Sequence, residues 1–212
     1  MLLSVDWDFF SGCLEHTFDA PIWGTRDTDF DRIEAWQLRA AKRNGNLSTD
    51  FPLLEDWHWL LQFQGIPTLA TVSHADAYGL LEQLSSKSVT NLDSHHDLYS
   101  KSGDPTRVRA GNWAGLALEH GLIQSYTCVY PPWHEHIRVA EGYDLERTRS
   151  ELGLRFLETR LERTALADLE LGGISHILLV QSPAWTNPEH DPFFLELCAG
   201  LRADFLEVPL RR

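Results

Sequence analysis

Short apolar runs recur along the chain, each bounded by polar or turn-forming residues. Met1-Leu2-Leu3, Thr68-Leu69-Ala70-Thr71-Val72, Val89-Thr90-Asn91-Leu92, Ser125 to Tyr130 and Ile177 to Gln181 have the length and composition of buried strands. The first strand is expected to span Leu2 to Asp6, and a last one Phe205 to Val208. Between them a helical period appears. Asp29 to Arg43 places Phe30, Ile33, Trp36, Leu38 and Ala40–Ala41 on one broad face. A second helix, Leu53 to Phe63, follows Pro52 and ends before Gly65, as proline and glycine punctuation predicts. Ser73 is placed to cap a helix running through Leu84; Trp113 to His120 is stopped by Gly121, and Asp191 to Leu201 forms the last helix. From Tyr143 to Glu170 the pattern supports either a helix from Leu145 or strands within Leu154 to Leu171. Strands alternating with helices predict an α/β protein of three α/β/α layers around a mostly parallel sheet. The whole chain, 1–212, reads as one domain, with 11–65 as a helical insertion or lid.

Length and charge narrow the classes of function. A chain of 212 residues is enough for one sizeable core. The net charge of −13 argues against a nucleic-acid binder, which needs a basic patch. No apolar run approaches the ~20 residues of a membrane span, and the first residues lack the basic start of a signal peptide. Cys13, Cys128 and Cys198 contain no Cys-x-x-Cys pair, so reduced thiols in a cytoplasmic protein are expected. Trp23, Trp36, Trp57, Trp59, Trp113, Trp133 and Trp185 lie in polar surroundings; they serve either core packing or the wall of a pocket.

Two acidic stretches carry the chemistry. Ser4-Val5-Asp6-Trp7-Asp8 and Asp93-Ser94-His95-His96-Asp97 each end a predicted buried strand. Carboxylates there are costly to desolvate unless something compensates them. In extended chain, alternate residues share a face, so Asp93, His95 and Asp97 can line one wall, and Asp6 and Asp8 another. His74, just past another strand, adds a nitrogen. Strand ends of a parallel sheet meet at one edge, where ligands bind. The six side chains form a mixed oxygen and nitrogen set suited to Mn²⁺ or Zn²⁺. Taken singly, each has a structural alternative: Asp8 as a turn residue, His95 as a core imidazole, Asp97 as a helix cap.

In these motifs the chain resembles the arginase, agmatinase and deacetylase superfamily. Asp93-Ser94-His95-His96-Asp97 is similar to its Asp-x-His-x-Asp strand end, Ser4-Val5-Asp6-Trp7-Asp8 to its Ser-x-Asp-x-Asp strand end, and His74 to its upstream histidine. The run Leu92 to Leu98 followed by Asn112-Trp113 resembles an uncharacterised arginase-like group in particular. The resemblance implies two divalent ions, Mn²⁺ first and Zn²⁺ second, bridged by Asp6 and Asp93. His74 and Asp97 would complete one site, His95 and Asp8 the other. The motif order differs, since the Ser-x-Asp-x-Asp strand comes first here, as a circular permutation would produce. Where the ureohydrolases carry a catalytic histidine, this chain has Ala114.

The resemblance implies hydrolysis of a linear C–N bond, in an amide or a guanidino group, of a small-molecule substrate for which a cationic group is one option. His96 and Glu189 are the candidates for moving protons, and Glu189 for binding a cation. Asn112, Trp113 and Trp185 are candidates for holding substrate, with Asn112 equally readable as a helix cap. Asp76 is placed to support His74. His134-Glu135-His136 reads as a surface loop. Two rivals stay open: a metal-binding protein without catalysis, and a haloacid-dehalogenase-type phosphatase using Asp6 and Asp8.

Overall fold

Among the described residues, seven strands form a single sheet in the order β5-β4-β3-β1-β6-β2-β7, and all of its strand pairings are parallel. The computed structural model describes residues 1–12, 31–99, 104–138 and 140–212. The strands are β1 Leu2–Asp6, β2 Thr68–Thr71, β3 Ser88–Leu92, β4 Ser125–Tyr130, β5 Arg160–Arg163, β6 His176–Val180 and β7 Asp204–Phe205. Helices α1 Asp31–Lys42, α2 Asp76–Gln83, α3 Trp113–Glu119, α4 Leu145–Leu152 and α5 Asp191–Leu201 connect or flank them. The architecture is α/β, as expected.

The period of two along each strand divides the core into two. Leu2, Val89, Tyr126, Cys128, Leu178 and Val180 pack with α2 and α3 on one face. Leu3, Val5, Leu92, Val129, Ile177 and Leu179 pack with α5 and the Trp57–Phe63 turn on the other. Both faces of β1, β3 and β6 are therefore buried, which is why these strands read as continuous apolar runs.

Several local expectations need correction. Leu53 to Phe63 is not one α-helix; only Trp57–Phe63 coils, as a 3₁₀ stretch capped by the Asp56 side chain. Ser73 does not cap α2, which begins at Asp76; its Oγ accepts from the Ala75 N–H instead, at 3.2 Å. The final strand lies at Asp204–Phe205, ahead of its expected place. Between Tyr143 and Glu170 a helix and a strand both form, α4 and β5. His134 is buried, so its loop is not a plain surface feature. Cys128 and Cys198 are buried free thiols. Phe30, Trp23 and Cys13 lie outside the described residues.

Part of the 11–65 segment is anchored near the carboxyl edge of the sheet. The Trp36 Nε1–H donates to the Pro183 carbonyl at 2.8 Å, and Asn187 Nδ2 donates to the Phe51 carbonyl at 3.0 Å. Trp36, Leu47 and Phe51 make a third, small apolar cluster there. Among the described residues, no helix is long and apolar enough to cross a membrane.

Candidate metal centre

The strand order places four carboxyl ends side by side: β3, β1, β6 and β2. Asp6 closes β1, and Asp8 lies in the short 3₁₀ turn after it. Asp93 follows β3, His74 follows β2 and Ser182 follows β6. Two groups of ligand-type atoms result, Asp6–His74–Asp93 and Asp8–Asp93–His95. Asp93 belongs to both. All six expected ligands come together, since His74 Nδ1 lies 3.1 Å from Asp6 Oδ2, 3.1 Å from Asp93 Oδ2 and 3.0 Å from Asp97 Oδ2. His95 Nδ1 lies 3.0 Å from Asp8 Oδ2 and 3.6 Å from Asp93 Oδ1.

These distances fit a cation among the ligands. Donor atoms ~2.1 Å from one ion and at right angles to each other stand ~3.0 Å apart, whereas tetrahedral donors stand ~3.4 Å apart. The His74 contacts match the first value. His74 Nδ1 and Asp8 Oδ2 are buried and make no hydrogen bond despite those neighbours. Buried polar atoms are normally paired, so two such atoms, both aimed into carboxylate and imidazole clusters, point to a metal ion as the partner. The residues present fit it.

A second layer of side chains fixes the first. Ser4 Oγ shares a 2.7 Å hydrogen bond with His74 Nε2, which leaves Nδ1 toward the acids. Such outer bonds set the tautomer of a ligating imidazole. Asp76 does not take that role; its carboxylate accepts from Thr71. Ser182 Oγ donates to Asp6 Oδ2 at 2.5 Å, Trp113 Nε1 to Asp97 Oδ2 at 2.7 Å, and Asn91 Nδ2 to Asp93 Oδ2 at 2.9 Å. The His95 N–H donates to Asp93 Oδ1 at 2.7 Å and the Ser94 N–H to Asp8 Oδ1 at 3.1 Å. Asp97 and Ser182 both adopt positive φ, 53° and 46°. For non-glycine residues such backbone is costly and gathers at functional sites.

The turn after β3 is also pressed against α3. The Asp97 carbonyl accepts from the Ala114 and Gly115 N–H groups at 3.1 and 3.3 Å. A Cβ on Gly115 would lie 1.8 Å from the Leu98 carbonyl oxygen. Only glycine permits this approach, and it seats Asp97 over the start of the helix.

Burial shapes the protonation of the cluster. Burial, reinforced by Asp6 and Asp93, pushes Asp8 up to about 7. Burial and the Asp93 charge push Asp6 and Asp97 up as well. Burial opposes ionisation of Asp93 too, but the close approach of the His74 and His95 imidazoles outweighs this and holds its carboxyl far below the usual range. Burial also disfavours charge on His74, yet the acids around it, Asp97 foremost, hold the imidazolium well above its ordinary value. For His95 the same opposition is won by Asp8 and Asp93. The acids thus share protons with the histidines, and a bound cation would take the place of those protons.

The remaining expected site residues fall in different places. Trp185 is half-buried with its ring 5.4 Å from that of His95. Trp113 is fully buried in the core, and its ring lies 4.9 Å from His74. Asn112 is buried; its Oδ1 accepts from the Arg109 N–H at 2.7 Å and its Nδ2 donates to the Arg107 carbonyl at 3.0 Å, closing the loop before α3. His96 accepts the Leu98 N–H on Nδ1 at 3.0 Å and packs against Tyr99. Glu189 is exposed, and its carboxylate accepts from Ser48 Oγ at 2.5 Å. Ala114 is buried in the core beside α2.

Sequence reasoning missed Ser4, Asn91 and Ser182 as supports. Ser4 had a signal, since it lies two residues before Asp6 on the same face.

The fold and the site together define a class: a parallel α/β protein with a buried carboxylate–imidazole centre at its carboxyl edge that can hold a metal ion. No family model, curated protein or solved structure matches this chain.

Proposed function

We propose that this protein is a metal-dependent hydrolase of a linear C–N bond, in an amide or a guanidino group, working with two divalent ions, Mn²⁺ ahead of Zn²⁺. The observation that carries the reading is the pair of ligand groups sharing Asp93, with His74 Nδ1 and Asp8 Oδ2 buried and without hydrogen bonds. Asp6, His74, Asp93 and Asp97 would hold one ion, and Asp8, Asp93 and His95 the other, with Asp93 shared by the two groups where Asp6 and Asp93 were both expected to be. When bound, such ions lower the pKa of a water toward ~7 and polarise the bond to be cleaved.

The chain's own residues do the rest. Ser4 holds the His74 ring, while Ser182, Trp113 and Asn91 hold three carboxylates in place without neutralising them. Trp185 shields one side of His95 from water. His96 carries its proton on Nε2, because Nδ1 is occupied by the Leu98 N–H. A proton passed toward a leaving amine would come from that nitrogen. We also read the chain as a permuted relative of the arginase and deacetylase superfamily. In favour of this, β1 sits between β3 and β6, so its acids meet Asp93 whatever the order along the chain.

One observation favours a second reading, a metal-binding protein without catalysis: the position given to a histidine in ureohydrolases is Ala114, inside the core. Metal analysis by mass spectrometry on protein purified without chelator, beside Asp93→Asn, is the test. About two ions per chain, lost in the variant, with turnover on an amide and guanidine panel, is the expected result. Two ions without turnover favour the second reading, and no metal after reconstitution sinks both.

A further inference from the structure

A buried phenol has to find partners for its hydroxyl, and a position that only filled the core would be served as well by phenylalanine. Tyr126, in β4, is 1% exposed, and its ring meets that of Trp113 edge-on with 6.0 Å between centroids. Both partners of its hydroxyl lead to the turn that carries Asp93, His95 and Asp97. Oη donates to the His96 carbonyl at 2.8 Å. It accepts from Asn91 Nδ2 at 3.0 Å, and the same amide nitrogen donates to Asp93 Oδ2 at 2.9 Å.

The sense of these bonds is fixed. A phenol has one proton to give, and the His96 carbonyl takes it. Its lone pair then needs a donor, so Asn91 must turn its NH₂ group toward Tyr126. The second proton of that nitrogen points at Asp93. A reversed amide would set its oxygen against a carboxylate. The arrangement is costly, because Asn91 Oδ1 is left buried with no hydrogen bond, and a buried acceptor without a partner destabilises the fold. Packing alone does not account for it.

Asp93 is the carboxylate whose orientation matters most, because it belongs to both ligand groups. Its Oδ2 lies 3.1 Å from His74 Nδ1, and its Oδ1 lies 3.6 Å from His95 Nδ1. Rotation about the Cβ–Cγ bond would carry both oxygens away from their groups together. The His95 N–H holds Oδ1 at 2.7 Å, and Asn91 holds Oδ2. We infer that Tyr126 is a positioning residue of the metal centre. Through Asn91 it fixes the plane of the carboxylate that the two groups share, and through the His96 carbonyl it fixes the turn between His95 and Asp97. The inference rests on the two-ion reading of the site, but not on hydrolysis.

Competition titration of Mn²⁺ and of Zn²⁺ against a fluorescent chelator, on the full chain well below its melting temperature, tests it. Tyr126→Phe keeps the ring and removes the hydroxyl; Asn91→Ala removes the amide. Each should weaken metal affinity about tenfold or more. In the double variant the combined loss should fall short of the product of the two, since one path carries both. Leu201→Ala, at the end of α5 in the opposite core cluster, is the control. It should lower the melting temperature at least as much and leave metal affinity unchanged, as a tyrosine that served packing alone would. Wild-type affinity in either variant, shown to be folded by circular dichroism, or losses that multiply in full, overturns the inference while the metal centre stands. Wild-type protein that takes up neither metal overturns the inference and the two-ion reading together.

Discussion

Arg212 makes a dense set of bonds. Its side chain is 2% exposed and faces the equally buried Asp191. Nη2 donates to Asp191 Oδ1 at 2.7 Å and Nε to Oδ2 at 3.1 Å, while its backbone N–H reaches Oδ2 at 2.9 Å. The guanidinium also donates to the Pro183 carbonyl and, at 3.1 Å, to Thr186 Oγ1. Gln181 closes the arrangement, donating to the Leu210 carbonyl at 2.7 Å and accepting from the Leu210 N–H at 2.7 Å. Arg212→Ala strands the Asp191 charge in a dry setting. Removing one partner of a buried pair costs about 3–5 kcal/mol. At roughly 2–4 °C per kcal/mol for a chain of this size, the melting temperature should fall by roughly 6–20 °C. Thermal unfolding followed by circular dichroism measures it. Asp191→Asn combined with Arg212→Met, which removes both charges, should recover much of the loss. A fall worth under ~1 kcal/mol in Arg212→Ala, the size of a surface ion pair, would refute the claim that this clamp holds the loop after β6.

Metal binding should tighten as pH rises from about 6 to about 8, by about tenfold per unit for each proton displaced. The sign follows because Asp8 at about 7, and His74 and His95 held above their ordinary values, must give up protons to the metal; calorimetry in buffers of different ionisation enthalpy should show proton release, and a flat profile would count against these ligands. Ser182→Ala and Trp113→Phe each remove one hydrogen bond to a ligand carboxylate and should weaken metal affinity about 10–100-fold in a competition titration; unchanged affinity would show that these donors do not position the acids. Gly115→Ala drives a methyl into the Leu98 carbonyl, so urea unfolding should show a loss of at least about 1–3 kcal/mol, with none expected if α3 can slide freely.

The strands β1, β2, β3, β4 and β6 were legible because strands buried on both faces contain little but apolar residues. β5 was legible only as one of two alternatives within Leu154 to Leu171: Arg160, Glu162 and Arg163 give it the look of a solvated segment, and an edge strand can carry such residues. The six candidate ligands were legible as a set, because each alone has a structural use but acids and imidazoles gathered at the ends of three apolar runs have few in common. Their supports were less so. Ser182 looks like any loop serine until strand order puts β6 beside β1. Asn112 shows the limit of residue type, since its amide is used entirely in closing a loop.

The strand order has a consequence for how the molecule is made. β2 pairs only with β6 and β7, and β6 also covers the free side of β1. His74 therefore cannot reach Asp6 and Asp93 until residues 176–180 have been synthesised and inserted between two strands made much earlier. Contacts that join such distant segments are slow to form, because the loop entropy is lost before the pairing energy is gained. While β6 is still missing, β1 and β2 are two apolar edges with nothing between them, exposed to other chains. The nascent protein should then depend on chaperones more than its size suggests, and the proposed metal centre should be completed only near the end of folding.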